Sequence, residues 1–152
     1  MVAAENARRK ALAGHAALAP GESAGAVVLA CDTLVAFDGR IHGKPEDATH
    51  AAQTLARLAG RTHEVVGALA LVGPDGILRE RTECTRVTFA ALTAVQVDAY
   101  VATGEWEGRA GGYAIQGLGG ALVERIEGDY LNVVGLPLPA LRTLVQGLVR
   151  CF

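Results

Sequence analysis

Aromatic residues are scarce: one Trp, three Tyr and three Phe make up 5% of 152 residues. With so few rings, and with Trp106 isolated, the chain does not offer a stacking platform for nucleic-acid bases. Cysteine is scarcer still. Cys31, Cys84 and Cys151 are odd in number and far apart, a pattern that fits neither a disulfide framework nor zinc-ligand spacing and favours a reducing cytoplasm. No apolar run approaches the roughly 20 residues that span a bilayer, so a membrane is not an expected partner. The opening MVAAENARRKALAG carries charge but no long apolar segment before a cleavage site, unlike a secretory signal. An excess of one charge is lacking too. The net charge is −2 and no Lys/Arg-rich stripe extends beyond Arg8-Arg9-Lys10, which argues against a nucleic-acid polymer. A handful of placed cations would still suffice for a small anionic ligand.

What is present reads as one soluble globular domain over residues 1–152, since 51% of residues are apolar and no polar low-complexity tract interrupts them. Residues 3–17 are alanine-rich and helical in propensity, and Pro20-Gly21 ends them. A strand over 26–37 follows, then the tight-turn pair Asp38-Gly39 and a short return at 40–42. EDATHAAQTLARLAG places Ala48, Ala51, Ala52, Leu55, Leu58 and Ala59 on one helical face, with Gly60 as its stop. Residues 63–72 and 77–90 predict a long antiparallel hairpin around Gly73-Pro74-Asp75-Gly76. Thr93 with Gln96 is a capping box for a helix running to about Thr103. Short strands are expected at 121–126 and 130–134. A last helix opens at Pro137 and Pro139 and carries Leu141, Leu144, Val145 and Leu148. Interleaved helices and hairpins predict an α/β class with a mixed sheet.

The stretch VVLACDTLVAF (27–37) sets an acid, Asp32, among hydrocarbon side chains. An ionised carboxylate there is costly unless it is paired, hydrogen-bonded or bound to a metal. Asp32 could hold a divalent cation or accept a proton from a water nucleophile, or, more plainly, face solvent at a strand end. Thr33 offers a hydroxyl beside it. Lys44, in Gly43-Lys44-Pro45 before a helix, can meet a phosphate, although a solvated loop lysine is the simpler reading and Glu46 and Asp47 already use the helix's positive end. GGYAIQGLGG (111–120) has the glycine density that lets backbone approach a ligand, and Gln116 could read a polar edge through its amide. A surface loop is the alternative. His15, His42, His50 and His63 show no ligand spacing, and Cys31 reads as a small buried residue rather than a nucleophile.

Taken in order, ACDTLVAFDGRIHGKPEDATHAAQTLARLAGRTHEV and YVATGEWEGRAGGYAIQGLGGALVERIEGDYLNVVGLPL resemble the Maf family of nucleoside triphosphate pyrophosphatases, from about residue 3 to about residue 148. The resemblance implies an elongated, twisted, mixed α/β sheet flanked by helices, like that of the inosine triphosphate pyrophosphatases, with a nucleotide cleft between two lobes. It implies hydrolysis of a nucleoside triphosphate to the monophosphate and pyrophosphate with Mg²⁺ or Mn²⁺, by a cytoplasmic homodimer. Asp32 matches the family's acidic position, its proposed proton acceptor and a metal ligand. Lys44 matches the Gly-Lys-Pro lysine, and Lys10, in ENARRKA, a lysine of the preceding helix; both would face the triphosphate. Thr33 and Gln116 match the branch acting on dTTP and UTP rather than the one acting on 7-methyl-GTP.

One departure stands out. The family usually opens with a strand ending in Ser-x-Ser-Pro-Arg-Arg, followed by a glutamate, and this sequence starts after both; Arg8-Arg9 lies in a helix with no Ser-Pro before it. The expectation is a late-placed start or a natural truncation, with an exposed strand edge open to pairing. A non-catalytic nucleotide-binding protein tied to septum formation is the rival from another functional class.

Overall fold

A computed structural model of the protein describes residues 2–19, 21–22 and 25–146. The alanine-rich opening forms α1 (Val2–Ala16). Ala3, Ala7 and Ala11, one helical turn apart, are fully buried. They pack on Ala68, Ala70 and Val72 of the sheet. Methyl groups on both sides let this helix lie close to the strands, which brings its side chains within reach of their edge.

The strand around the buried acid is β1 (Val28–Phe37), joined to β2 (Arg40–His42) by the expected tight turn. Asp38 and Gly39 have φ of 51° and 69°, the left-handed pair that a two-residue hairpin requires. Asp47 caps α2 (Ala48–Leu58), its side chain accepting the His50 N–H. Asp47 is therefore the cap rather than the first helical residue. β3 (Thr62–Val72) and β4 (Leu78–Phe89) form the long hairpin, in register from Thr62↔Thr88 to Val72↔Leu78. The capping box of Thr93 and Gln96 is present at the start of α3 (Ala94–Val101). Two short 3₁₀ turns, Ala110–Gly112 and Leu118–Leu122, lead into β5 (Val123–Glu127).

The five strands run in the order β2-β1-β3-β4-β5, and every pairing is antiparallel. β3 is central and covered on both faces, which explains why HEVVGALALV is apolar without alternation. One face carries α1. The other carries the main core, where Val35, Val65, Val87 and Phe89 meet Leu55 and Leu58 of α2, Val97 and Tyr100 of α3, and Trp106, Tyr113 and Ile115. β2 pairs only with Val35, Ala36 and Phe37, so β1 from Val28 to Leu34 has no strand on its outer side among the described residues. No described helix is long and apolar enough to cross a membrane.

The chain departs from expectation at 130–134. Tyr130–Val134 is a helical turn, α4, not a strand. The Asp129 side chain accepts the Leu131 N–H at its start, Gly135 ends it at φ 127°, and the buried Asn132 fastens it to the sheet. Local capping and one buried amide override the strand propensity of Tyr, Leu and Val. The expected strand at 121–126 begins two residues later, after the 3₁₀ turn. The last helix, α5, spans Leu138–Leu144 with proline in its first turn; Leu148, expected to extend it, and Pro20, expected to close α1, lie outside the described residues.

Candidate active site

Asp32 lies in the middle of β1, opposite Ala68, and not at a strand end. It is reachable because the outer edge of β1 is open there. Its side chain, 15% exposed, meets two residues of α1: Lys10 Nζ donates to Oδ1 at 2.6 Å and Asn6 Nδ2 donates to Oδ2 at 3.0 Å. Asn6 and Lys10 are four apart and share a helix face. The Lys10 ammonium also reaches the Cys31 carbonyl at 3.2 Å. The acid in the apolar strand is thus both paired and hydrogen-bonded, with its orientation fixed by one helix. A carboxylate accepts about four hydrogen bonds, so lone pairs remain on both oxygens for a water or a cation.

Asp32 and Thr33 point to opposite faces of the sheet, as neighbours in a strand must. The cleft nevertheless touches both because it wraps around the open edge. It encloses about 210 Å³ and is lined by Lys10, Asp32, Thr33, Lys44 and Gln116, so all the residues singled out in the sequence meet in one place. Thr33 faces the end of α4: a methyl placed on Gly135 would lie 3.9 Å from its hydroxyl. Lys44 sits on a loop tied to the 3₁₀ turn by the Gly111 N–H donating to the Gly43 carbonyl at 3.0 Å. It is exposed and forms no ion pair among the described residues. Gln116 is exposed at the tip of a loop tied down through Tyr100 and Glu105.

Three contributors escaped the sequence reading. Asn6 was legible only as the residue one turn before Lys10. Arg109 lines the cleft from the tight turn between Gly108 and Gly111, whose φ values are 68° and 70°. An arginine set among glycines, in Gly108-Arg109-Ala110-Gly111-Gly112, was the one signal in the sequence. Glu105 was hidden because its partners, two loop N–H groups and the Tyr100 hydroxyl, come together only in the fold.

Cys31 also lines the cleft, but burial pushes its thiol above the usual range more than the Lys10 ammonium draws it down, which keeps it protonated and poorly nucleophilic. His63 is buried away from this chemistry, its Nε2 2.9 Å from the Tyr113 hydroxyl. No cluster of three or more His, Cys, Asp or Glu that could hold a metal exists among the described residues. A single carboxylate in a cleft with cationic walls does fit Mg²⁺ or Mn²⁺ arriving with phosphate oxygens, the usual mode of Mg²⁺ binding, rather than an all-protein cage.

A family model described as Maf-like protein matches residues 1–148. A dTTP/UTP pyrophosphatase of Paramagnetospirillum magneticum is 49% identical over 142 residues, covering 93% of this chain and 74% of that protein. A dTTP/UTP pyrophosphatase of Agrobacterium fabrum is 44% identical over 141 residues, covering 92% and 68%. One of Pyrococcus furiosus is 45% identical over 119 residues, covering 78% and 62%. With a family model over nearly its whole length and relatives at this identity, the chain belongs to the Maf family.

Proposed function

We propose that the protein is a nucleotide pyrophosphatase that hydrolyses dTTP and UTP to the monophosphate and pyrophosphate. The observation that carries this reading is the convergence of Asp32, Lys10, Lys44, Thr33 and Gln116 on one cleft, in a chain whose relatives bear that name. Cleaving the bond between the α- and β-phosphates adds one water: its oxygen goes to one phosphoryl group, its proton to a base, and the bridging oxygen leaves with the other. Asp32 is the base within reach, held in place by Lys10 and Asn6. Lys44 and Arg109 face the same cleft and would neutralise the phosphate oxygens as charge builds on the leaving group. A divalent cation held by Asp32 and the phosphates would add further charge neutralisation.

Base choice follows from hydrogen-bond chemistry. Uracil and thymine present a carbonyl beside an N–H; the Gln116 amide offers a donor beside an acceptor and matches them. Cytosine presents the reverse order, an amino donor beside a bare ring nitrogen, which the same amide meets only after a half-turn, so preference for uracil and thymine rests on that amide being held in one orientation. The Thr33 hydroxyl adds a contact in the same cleft. A homodimer in the cytoplasm is the setting that the family resemblance suggests. Pyrophosphate release measured across dTTP, UTP, CTP, ATP and GTP with Mg²⁺ or Mn²⁺ tests the reading: dTTP and UTP should be turned over well ahead of the rest. Equal rates for all five, or none for dTTP and UTP, would overturn it.

A further inference from the structure

We infer that Glu105 is the positioning residue of the base-reading loop, its carboxylate holding residues 114–119 in the conformation that presents the Gln116 amide to the cleft. The inference rests on the proposed function and names a residue outside the substrate's reach. Glu105 Oε1 accepts the Leu118 N–H at 2.9 Å, and Oε2 accepts the Gly119 N–H at 2.8 Å. The Tyr100 hydroxyl donates to Oε2 at 2.9 Å and accepts the Ala114 N–H at 3.1 Å. One carboxylate–phenol pair therefore grips both ends of the segment, and the Gly117 N–H closes the turn on the Ala114 carbonyl at 3.1 Å.

The loop is built around that carboxylate. A Cβ on Gly117 would lie 2.0 Å from Glu105 Oε1, and one on Gly119 would lie 2.6 Å from the Ala114 carbonyl oxygen and 2.9 Å from the Tyr100 hydroxyl. Both glycines are needed because the grip leaves no room for side chains. Tyr113, Ala114 and Ile115 are buried, whereas Gln116, Gly117 and Leu118 are exposed. The core thus fixes the base of the loop, and the tip depends on Glu105. The Gln116 side chain makes no hydrogen bond among the described residues, so its direction comes from the backbone beneath it. Donor and acceptor roles are well defined: burial pushes the Tyr100 phenol up to about 12. For Glu105, burial acts against ionisation, but the Gly119 and Leu118 N–H groups and the Tyr100 hydroxyl outweigh it and hold the carboxyl below its usual range.

Replacing Glu105 with Gln leaves one oxygen to serve two N–H donors and turns an NH₂ group toward the other. With E105Q, KM for UTP and dTTP should rise about tenfold, the scale of a lost charge-assisted hydrogen bond. kcat should fall less than KM rises, and preference for UTP over CTP should shrink by a similar factor. Tyr100→Phe, which cuts the Ala114 link, should shift preference in the same direction and carries the test if E105Q does not fold, as judged by thermal unfolding. Glu107→Gln, on an exposed carboxylate of the same turn, is the control and should change nothing. In a Gln116→Ala background, E105Q should have no further effect on base preference. Folded E105Q or Y100F with wild-type preference, or additive effects of E105Q and Q116A, would overturn the inference while leaving the proposed function standing. A wild-type protein that neither turns over UTP nor prefers it to CTP would overturn both.

Discussion

A carboxylate inside an apolar strand has to be explained by its neighbours, and at Asp32 those are Lys10, Asn6 and an open strand edge. Asp32→Asn keeps the shape but removes the base. It should lower turnover of UTP by roughly 10²–10⁴-fold, the usual range for a lost general base, while calorimetry still detects nucleotide binding. Loss of binding together with turnover would instead mark Asp32 as a metal-holding group alone. Lys44→Ala and Arg109→Ala should each raise KM by about tenfold through one lost charged contact, read from initial rates. At this scale the sequence was informative where a residue broke its local pattern. Asp32 interrupts a hydrocarbon run, and Gln116 stands among small residues. Lys44 stood out as a glycine-flanked lysine before a helix, whereas Lys10 took its role from family order alone, since a lysine within a helix has no local signature. Arg109 and Glu105 were missed because their meaning depends on which loops fold next to each other.

Among the elements, α4 is the informative one. YLNVV reads as strand by composition, yet the buried Asn132 donates to the Val65 carbonyl at 3.0 Å and to the Thr85 hydroxyl at 3.1 Å across the central strand. Its amide fits because residue 67 is glycine: a Cβ there would lie 1.9 Å from Asn132 Oδ1. Gly67→Ala should therefore expel the amide and destabilise the protein by about 2–4 kcal/mol, the scale of a disrupted buried polar network, seen as a lower urea midpoint. Since α4 delivers Val133 and Val134 to the cleft wall, KM for UTP should rise as well. Elements set by local chemistry were legible beforehand: the Asp38-Gly39 turn, the Thr93–Gln96 capping box and the β3–β4 hairpin. α4 was not, because a contact between residues 65 and 132 leaves no mark on either segment alone.

For the whole molecule, the core contains a buried titratable group with a definite consequence. His63 packs between Phe89 and Tyr113, and burial, aided by the charge of His42, pushes its pKa down to about 4. The folded state holds it neutral, whereas an unfolded chain would protonate it near pH 6.5. The unfolded state thus binds more protons below pH 6.5. Stability from this group is complete above that value and falls as pH drops toward 4, by about 3 kcal/mol in all. Urea unfolding between pH 7 and 4 should show that slope, and His63→Gln should flatten it. Catalysis should respond to metal independently of folding: EDTA should abolish pyrophosphate release without moving the melting temperature, and Mg²⁺ or Mn²⁺ should restore it.

The central claim is that the cleft at Asp32 splits UTP between its α- and β-phosphates. Phosphorus NMR of UTP incubated with the protein and Mg²⁺, alongside Asp32→Asn, tests it most directly. UMP and pyrophosphate should appear in equal amounts with the wild-type protein and be nearly absent with the variant. UDP and inorganic phosphate, or equal conversion by both proteins, would contradict the account.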